Sequence, residues 1–270
     1  MASREDIFTN KIFLCAALPL LKTIASDDPK LAKKFEKTHA VIQVSARDPE
    51  APDGKYATHF VINDGEWVVH ADKVSDKEHT QVELEFKSVE QMNAFFKGNI
   101  GPKTLPKMKG VVSHGGTFLS FMMTLLKMSS LLTATEIPED ETTQQLMVKC
   151  FFYLLSSGIS TLNKNGHEKV KEWTSKSPDR VYAFAVENHP EVSAYIRIKA
   201  GKSRAGRGTY KRALPFFTLR FDSFKSALGI LLSIDDMLDS VRTGKLVMDG
   251  APEFGGQIGE LMFMVGDYAK

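Results

Sequence analysis

Hydrophobic and polar residues alternate in short runs in both halves of the chain, and each set of runs follows a long stretch with apolar residues at helical spacing. The period of two predicts strands at 40–45, 57–63, 66–72, 80–86, 181–186, 194–200, 209–212 and 216–221. The helical spacing predicts long helices at 7–37, with a break near 27–29, and at 142–176, with a break near 163–166. The order is helix first and strands second, twice over.

The two halves also match residue by residue, which indicates an internal repeat. The run Val82–Phe86 corresponds to Phe217–Phe221 at an offset of 135 residues. Met108-Lys109-Gly110 corresponds to Met248-Asp249-Gly250 at an offset of 140. We therefore expect two units, at residues 1–135 and 136–270. The apolar run 12–21 corresponds to 147–155 in mid-chain, so we expect both to be core helices and not a cleaved leader.

A short helix is predicted after the last strand of the alternating run in the first half. Ser88 and Gln91 have the spacing of a capping box, in which the two side chains satisfy backbone N–H groups at the helix start. Gly98 is placed to end the helix in a left-handed conformation. Each half closes with a second, strongly apolar helix. Residues 117–132 are apolar most of the way round, so we expect this helix to be covered on several sides.

Composition excludes several classes of protein. The 270 residues are 43% hydrophobic and 25% charged, with a net charge of +2, so no strong field favours nucleic acid. The apolar-dense stretch 118–132 is interrupted by polar residues, among them Ser120, Thr124, Lys127 and Ser129, and we expect no membrane-spanning segment. Cys15 and Cys150 lie inside apolar runs without metal-ligand spacing, which fits a reducing, cytoplasmic environment.

The sequence lacks the common catalytic motifs, so we expect neither an enzyme nor a cofactor. The chain contains no phosphate-binding loop, no dinucleotide fingerprint and no nucleophile elbow. The seven histidines lack metal spacing, although His59 and His70 fall in neighbouring predicted strands. His114-Gly115-Gly116 has the look of an oxyanion loop, but a structural turn before a helix explains it as well. An enzyme that uses His59, His70 or His114 as a base remains an alternative.

One basic stretch stands out, from Lys199 to Arg212, with six Lys or Arg residues among glycines. It is either a solvated hairpin or a contact for anionic groups, such as a transient contact with a membrane surface. Tyr210 is its single aromatic residue, which argues against nucleic acid.

Each half resembles the sterol carrier protein type 2 family of lipid-binding domains. The matching segments are 82–88, 95–98 and 105–110 in the first half, and 217–223, 244–250 and 261–262 in the second. The resemblance implies an α+β fold: two tandem sterol-carrier-like units, each a curved, mostly antiparallel five-stranded sheet covered by helices. It also implies an apolar tunnel for fatty acyl chains, sterols or similar lipids. The family's Gly-Asp after the last strand is missing, because Val111 follows Gly110 and Ala251 follows Gly250.

The sequence thus predicts non-catalytic binding of a lipid, such as a fatty acyl, sterol-like or acyl thioester molecule, and its transfer within the cell. Two alternatives stay open: an interaction module with a filled core, and an accessory domain of an enzyme that acts on acyl substrates. The repeat and the apolar helices suggest a set of ligand-binding wall residues. These are Phe95, Phe96, Met108, Phe118, Phe121, Met122, Leu125, Leu228, Leu231, Met248, Leu261, Met262 and Met264.

Overall fold

The computed structural model describes residues 2–76 and 78–270. The chain divides into two compact units. Unit 1 comprises Met1–Ser129 with Tyr268–Lys270, and unit 2 comprises Ser130–Asp267. Both units combine helices with a five-stranded sheet, so the α+β prediction with two tandem units is confirmed.

The helices and strands of unit 1 follow the predicted order. Its helices are α1 (Arg4–Ile12), a π-helical turn (Phe13–Ala17), α2 (Leu20–Asp27), α3 (Pro29–Phe35), α4 (Val89–Phe96) and α5 (Gly115–Leu132), the last extending three residues into unit 2. Its strands are β1 (His39–Arg47), β2 (Lys55–Asn63), β3 (Glu66–His70), β4 (Val82–Phe86) and β5 (Lys107–Lys109).

Unit 2 repeats this arrangement. Its helices are α6 (Glu141–Lys164), α7 (Glu168–Lys176), a 3-10 turn (Pro190–Val192), α8 (Phe224–Leu231), α9 (Met237–Arg242) and α10 (Pro252–Ala269), which runs on past Asp267. Its strands are β6 (Arg180–Val186), β7 (Ala194–Lys199), β8 (Lys202–Arg207), β9 (Phe217–Phe221) and β10 (Leu246–Asp249).

The two sheets have the same topology. The strand order is β3-β2-β1-β4-β5 in unit 1, and the order β8-β7-β6-β9-β10 in unit 2 matches it position by position. In each sheet one pair is parallel, β1 with β4 or β6 with β9, and the other pairs are antiparallel. The common register fixes which residues correspond. Ile42 lies opposite Val82 and Tyr182 lies opposite Phe217, so Ile42 and Tyr182 are equivalent.

Local signals position the short helices as expected. The Ser88 hydroxyl accepts a hydrogen bond from the backbone N–H of Gln91 at the start of α4, whereas the Gln91 side chain accepts from the backbone N–H of Lys87, so only the Ser88 half of the predicted capping box forms. Gly98 follows the helix with a positive φ of 86°. Asp28 caps α3 at the predicted break in the first long helix. Gly110 has a φ of 77°, and a Cβ there would meet the Gln81 carbonyl oxygen, so this position requires glycine.

Three helical stretches in the described part of the chain are long and apolar enough to cross a membrane: Arg4–Asp27, Gly115–Leu132 and Glu141–Lys164. Polar interruptions therefore do not exclude these stretches by length and composition, because a few polar residues within a helix do not lower its mean hydropathy enough. Most of the first and third stretches is buried inside the protein, at 83% and 78% of the most apolar window. Only 28% of the second is buried, so the expectation that α5 is covered on several sides was wrong.

One predicted strand was misplaced. Residues 209–212 are not a strand; the partner of β7 is β8, Lys202–Arg207, which the glycines and basic residues concealed. Ala200 and Gly201, which lie between β7 and β8, both have a positive φ. This matches the two-residue turn that joins twisted hairpin strands. The basic stretch thus begins as an ordered hairpin.

Candidate functional site

Unit 2 contains an open cleft of about 320 Å³ between α7, β6 and α10. This volume lies at the lower end of pockets that hold small ligands. The helix α7 presents one wall, the first residues of β6 form the floor, and the first turns of α10 form the other wall. The lining residues are Lys169, Glu172, Trp173, Lys176, Ser177, Arg180, Tyr182, Phe254, Gln257, Glu260, Leu261 and Met264.

Aromatic side chains form the apolar part of the cleft. The rings of Trp173 and Tyr182 lie 5.2 Å apart between centroids, and those of Tyr182 and Phe254 lie 6.5 Å apart. Leu261 and Met264 continue this surface along α10. Aromatic rings with a flexible methionine beside them offer a large apolar contact area to a ligand of varied shape.

Tyr182, which lines the cleft, carries an unusual polar group: a buried hydroxyl. The side chain is 1% exposed, and no described protein group lies within hydrogen-bonding distance of its oxygen. A buried hydroxyl without a partner costs about 1–3 kcal/mol, so such groups are rare in folded proteins. Tyr182 lines the cleft, where a ligand could take up this hydrogen bond.

Arg180 places a positive charge at the edge of the same cleft. Its guanidinium carbon lies 3.9 Å from the centroid of Phe216 and 4.9 Å from that of Phe254. No described carboxylate forms a salt bridge with it, whereas Lys176 is paired with Glu172 at 2.6 Å. The lining carries three cationic and two acidic side chains, a balance of one positive charge that a monoanion would neutralise.

The corresponding region of unit 1 is filled by side chains. The shared register makes Phe60 equivalent to Ile196 and Trp67 equivalent to Ser203. Trp67 is 3% exposed and packs edge-on against Phe35 at 4.8 Å and Phe60 at 5.6 Å. Phe121 of α5 closes the cluster 5.6 Å from Phe60. In unit 1, packed aromatic side chains therefore fill this region.

The predicted wall residues are distributed among several places. Leu261 and Met264 line the cleft of unit 2. Phe121 and Leu125 are buried in unit 1, and Leu228 and Met262 are buried in unit 2. Phe95 and Phe96 form an aromatic cluster with Phe86. Met108 is 46% exposed on β5, and the half-buried remainder is Phe118, Met122, Leu231 and Met248.

Sequence reasoning missed Trp173, Tyr182, Arg180 and Phe254 as site residues. The signal that could have found the site is the tyrosine itself: a phenol in an inward position of a central strand needs a polar partner.

A second cleft, of about 380 Å³, lies in unit 1 and has a mostly polar lining. It is formed by Ala2, Arg47, Asp48, Pro49, Gly54, Lys87, Ser88, Val89 and Glu90. None of the predicted wall residues borders it.

The opposite face of the sheet in unit 1 holds a network of buried charges around Glu83. Its carboxylate accepts hydrogen bonds from Gln43, Ser45, Lys55 and Lys109 at 2.6–2.8 Å. Burial by itself would raise the pKa of Glu83, but these donors together lower it to about 2. The group is thus an ionised structural carboxylate and not a proton donor near neutral pH.

His59, His70 and His114 are the alternative catalytic bases suggested by the sequence. The rings of His59 and His70 stack 4.6 Å apart, and His59 Nδ1 lies 2.7 Å from the carbonyl oxygen of Lys73. Burial lowers the pKa of His59, despite that hydrogen bond. His114 lies immediately before α5. In the described part of the chain, no cluster of three metal-ligating side chains is present.

The basic hairpin has part of its charge paired. Arg197 of β7 forms a bidentate contact with Asp179 at 2.6–2.8 Å, and Lys199 lies 3.4 Å from the same carboxylate. Arg207 lies over the ring of Tyr153, 4.7 Å from its centroid.

No protein-family model matches the chain, and no curated protein matches it. Among solved structures, the chain is similar to a stereoselective inverting sec-alkylsulfatase from Pseudomonas sp., at 10% sequence identity and a TM-score of 0.28. The match covers 57% of this chain and 28% of the sulfatase chain. A likeness at this level carries no argument about the fold or the activity of this protein.

Proposed function

We propose that unit 2 binds a fatty-acid-like amphiphile in the cleft between α7, β6 and α10, and holds it without chemical conversion. The observation that carries the proposal is the hydroxyl of Tyr182, a cleft-lining residue, because that hydroxyl is buried without a described protein partner. A ligand headgroup oxygen would accept its hydrogen bond and remove the cost of leaving it unpaired.

The shape and charge of the cleft fit both ends of such a ligand. Trp173, Phe254 and Met264 offer apolar contact to a hydrocarbon chain. Each buried methylene contributes about 0.8 kcal/mol, so about eight methylenes would gain roughly 6 kcal/mol relative to water before ordering costs. Arg180 provides a positive charge for an anionic headgroup. The resemblance of each half to lipid-binding domains agrees with this assignment.

The side chains that line the cleft favour binding of a ligand without its chemical conversion. Among the described residues, the cleft is lined by neither histidine nor cysteine. Its two carboxylates, Glu172 and Glu260, lie on the opposite walls α7 and α10, and Glu172 is held by Lys176. The pKa of Glu172 is lowered by that lysine, which is the opposite of what a general acid needs.

The test is a titration of the full chain with a fluorescent fatty acid, in parallel with the variant Tyr182→Phe. We expect saturable binding by the wild type. The variant should bind about three- to tenfold more weakly, because one hydrogen bond to the ligand is lost. The ligand-free variant should be slightly more stable, because an unpartnered buried hydroxyl has been removed.

The matched control is Tyr195→Phe, a tyrosine of the same unit on β7 that does not line the cleft. It should leave the affinity unchanged. Absence of saturable binding by the wild type, or equal affinity in Tyr182→Phe, would remove the proposal.

Unit 1 suits a different role. Its filled aromatic core, built on Phe35, Phe60, Trp67 and Phe121, favours the alternative of an interaction module for this half of the chain. Titration of the same fatty acid against Trp67 fluorescence alone, in the Trp173→Phe variant, should show no change.

A further inference from the structure

The helix α5 has two apolar faces, and only one of them is buried. Phe121, Leu125 and Met128 are buried on one side of the helix, and Phe121 packs against Phe60. Leu119, Met123 and Leu126 follow one another at helical spacing on the opposite side, and Leu119 and Leu126 are 60% and 62% exposed. A surface helix normally carries polar residues on its outer side, so this outward stripe requires an explanation.

The segment that leads into α5 has the same character. Ile100, Leu105, Met108 and Val112 are exposed large hydrophobic residues, and Val112 is fully exposed. Large exposed apolar side chains that are close in sequence mark a surface that contacts something other than water.

The charged side chains that this part of the sequence contributes are all cationic, although Lys109 is paired with Glu83 and Glu85 and Lys127 lies 3.9 Å from Asp28. From Gln91 to Thr135 the sequence contains no aspartate or glutamate, whereas it contains five lysines: Lys97, Lys103, Lys107, Lys109 and Lys127. Lys97, Lys103 and Lys107 are exposed. A stretch that combines exposed hydrophobic residues with lysines and lacks acidic residues has the composition of an interfacial membrane-binding element.

The equivalent region of unit 2 has the opposite character, so the fold itself does not demand this surface. Residues 226–270 contain seven acidic side chains and three basic ones. At an offset of 140, Gly259, Phe263 and Gly266 of α10 correspond to the outward stripe Leu119, Met123 and Leu126. Two of those three positions are thus glycine in unit 2.

We propose that the outward stripe of α5 and the lysine-bearing segment 97–112 dock unit 1 on an anionic phospholipid bilayer. The leucine and methionine side chains enter the headgroup region, and the lysines contact lipid phosphates and carboxylates. The helix lies on the surface and does not span the bilayer, because Phe121 packs against Phe60 inside unit 1. A second copy of the chain is a poorer occupant, since the same face would bring lysines against lysines.

This surface is independent of the cleft in unit 2, and the two can be tested separately. The full-length protein is sedimented with vesicles of phosphatidylcholine alone, or with about one-third phosphatidylserine added. We expect binding to the anionic vesicles that weakens as salt is raised. Leu119→Gln with Leu126→Gln should lower the partition coefficient about tenfold or more. Lys103→Gln with Lys107→Gln should lower it by a similar factor, at about fivefold per lysine.

The matched control is Leu214→Gln with Leu238→Gln, two exposed leucines of unit 2, which should bind vesicles as the wild type does. Melting temperatures within a few degrees of the wild type would show that the exposed substitutions leave the fold intact. Three results would overturn the proposal: no binding by the wild type, equal binding to neutral vesicles, or full binding by the Leu119/Leu126 variant. Loss of binding in Lys202→Gln with Arg204→Gln, together with retention in the α5 variant, would assign the contact to the basic hairpin and would also overturn it.

Discussion

The two units share one topology and one register but differ in how they fill the space beside the sheet. Unit 1 has Ile42, Phe60 and Trp67 on the inner face, where unit 2 has Tyr182, Ile196 and Ser203. Two large aromatic residues are thus replaced by smaller ones, and one aliphatic residue becomes a tyrosine. The region of unit 1 that corresponds to the cleft is filled by aromatic side chains, whereas unit 2 has an open cleft there, lined in part by Tyr182 with its unpartnered hydroxyl. The inward residues thus differ in size and polarity between the packed core of unit 1 and the unit with the open cleft.

The outer faces of the two sheets differ in the sign of their charges. Unit 1 pairs Arg47 and Lys109 with Glu85. At the equivalent positions unit 2 pairs Glu187 and Asp249 with Arg220. The register makes each member of one cluster correspond to a residue of opposite charge in the other. Strands exchanged between the units would therefore bring like charges together, which disfavours mispairing during folding.

The largest expected effect separates the closed core from the open cleft. Trp67→Ala should lower the free energy of unfolding of unit 1 by about 4 kcal/mol, because it leaves a cavity among Phe35 and Phe60. The matched change Trp173→Ala should cost unit 2 only about 1–2 kcal/mol, because that side chain already borders open space. Urea unfolding followed by circular dichroism measures both. Equal losses would contradict the distinction between the units.

The second prediction concerns acid. The pKa of Glu83 is lowered from 4.5 to about 2, so its network stabilises unit 1 fully above about pH 4.5 and loses this stabilisation as the pH falls towards 2. Solvent screening reduces the contribution, and we expect about 2 kcal/mol. The equivalent position in unit 2 is Thr218. Asp179 of unit 2 also has a pKa lowered to about 2, by Arg197, but it is solvent-exposed and its effect is screened.

The two tryptophans allow each unit to be followed alone, because one lies in each unit. Urea unfolding between pH 6 and about pH 3 is measured by fluorescence in Trp173→Phe for unit 1 and in Trp67→Phe for unit 2. Unit 1 should lose stability faster than unit 2 on acidification, and Glu83→Gln should flatten its slope. A slope unaffected by Glu83→Gln would assign the acid sensitivity to other groups.

The smallest expected effect comes from closing the cleft. Leu261 of α10 borders the cleft, and the equivalent residue of unit 1 at an offset of 140 is Phe121. Leu261→Phe should weaken fatty acid binding about tenfold by occupying ligand space, with a cost in stability of about 1–3 kcal/mol at most. Phe263→Leu, on the same helix but exposed, is the control and should bind as the wild type does. Unchanged affinity in Leu261→Phe would place the ligand elsewhere.

Much of the fold could be predicted, because local sequence patterns mark its helices and strands and the same patterns occur in both halves. Alternation in Val82–Phe86 and Phe217–Phe221 identified β4 and β9, and the breaks near Pro29 and Gly166 divided the long helices. The strand β8 could not be predicted, because Lys202–Arg207 lacks apolar alternation and is ordered by pairing with β7. The repeat predicted that the two units share a topology, but it did not predict how side chains pack inside each unit.

The candidate site was less accessible, because it depends on differences between the copies. The wall residues were chosen as apolar positions in the repeated frame, which selects the core in general and reached the cleft only at Leu261 and Met264. Tyr182 is a candidate because its buried hydroxyl has no described partner, and only the packed structure reveals this. The exposed stripe of α5 was missed for the same reason, since apolar residues around a helix do not indicate which side remains uncovered.

The central claim is that an apolar ligand enters unit 2 and not unit 1. A fatty acid with bromine on its chain quenches tryptophan fluorescence on contact, and it can be titrated into the two variants that each retain one tryptophan. We predict saturable quenching of Trp173 in the Trp67→Phe variant and no saturable quenching of Trp67 in the Trp173→Phe variant. Quenching of Trp67, or of neither tryptophan, would contradict the account.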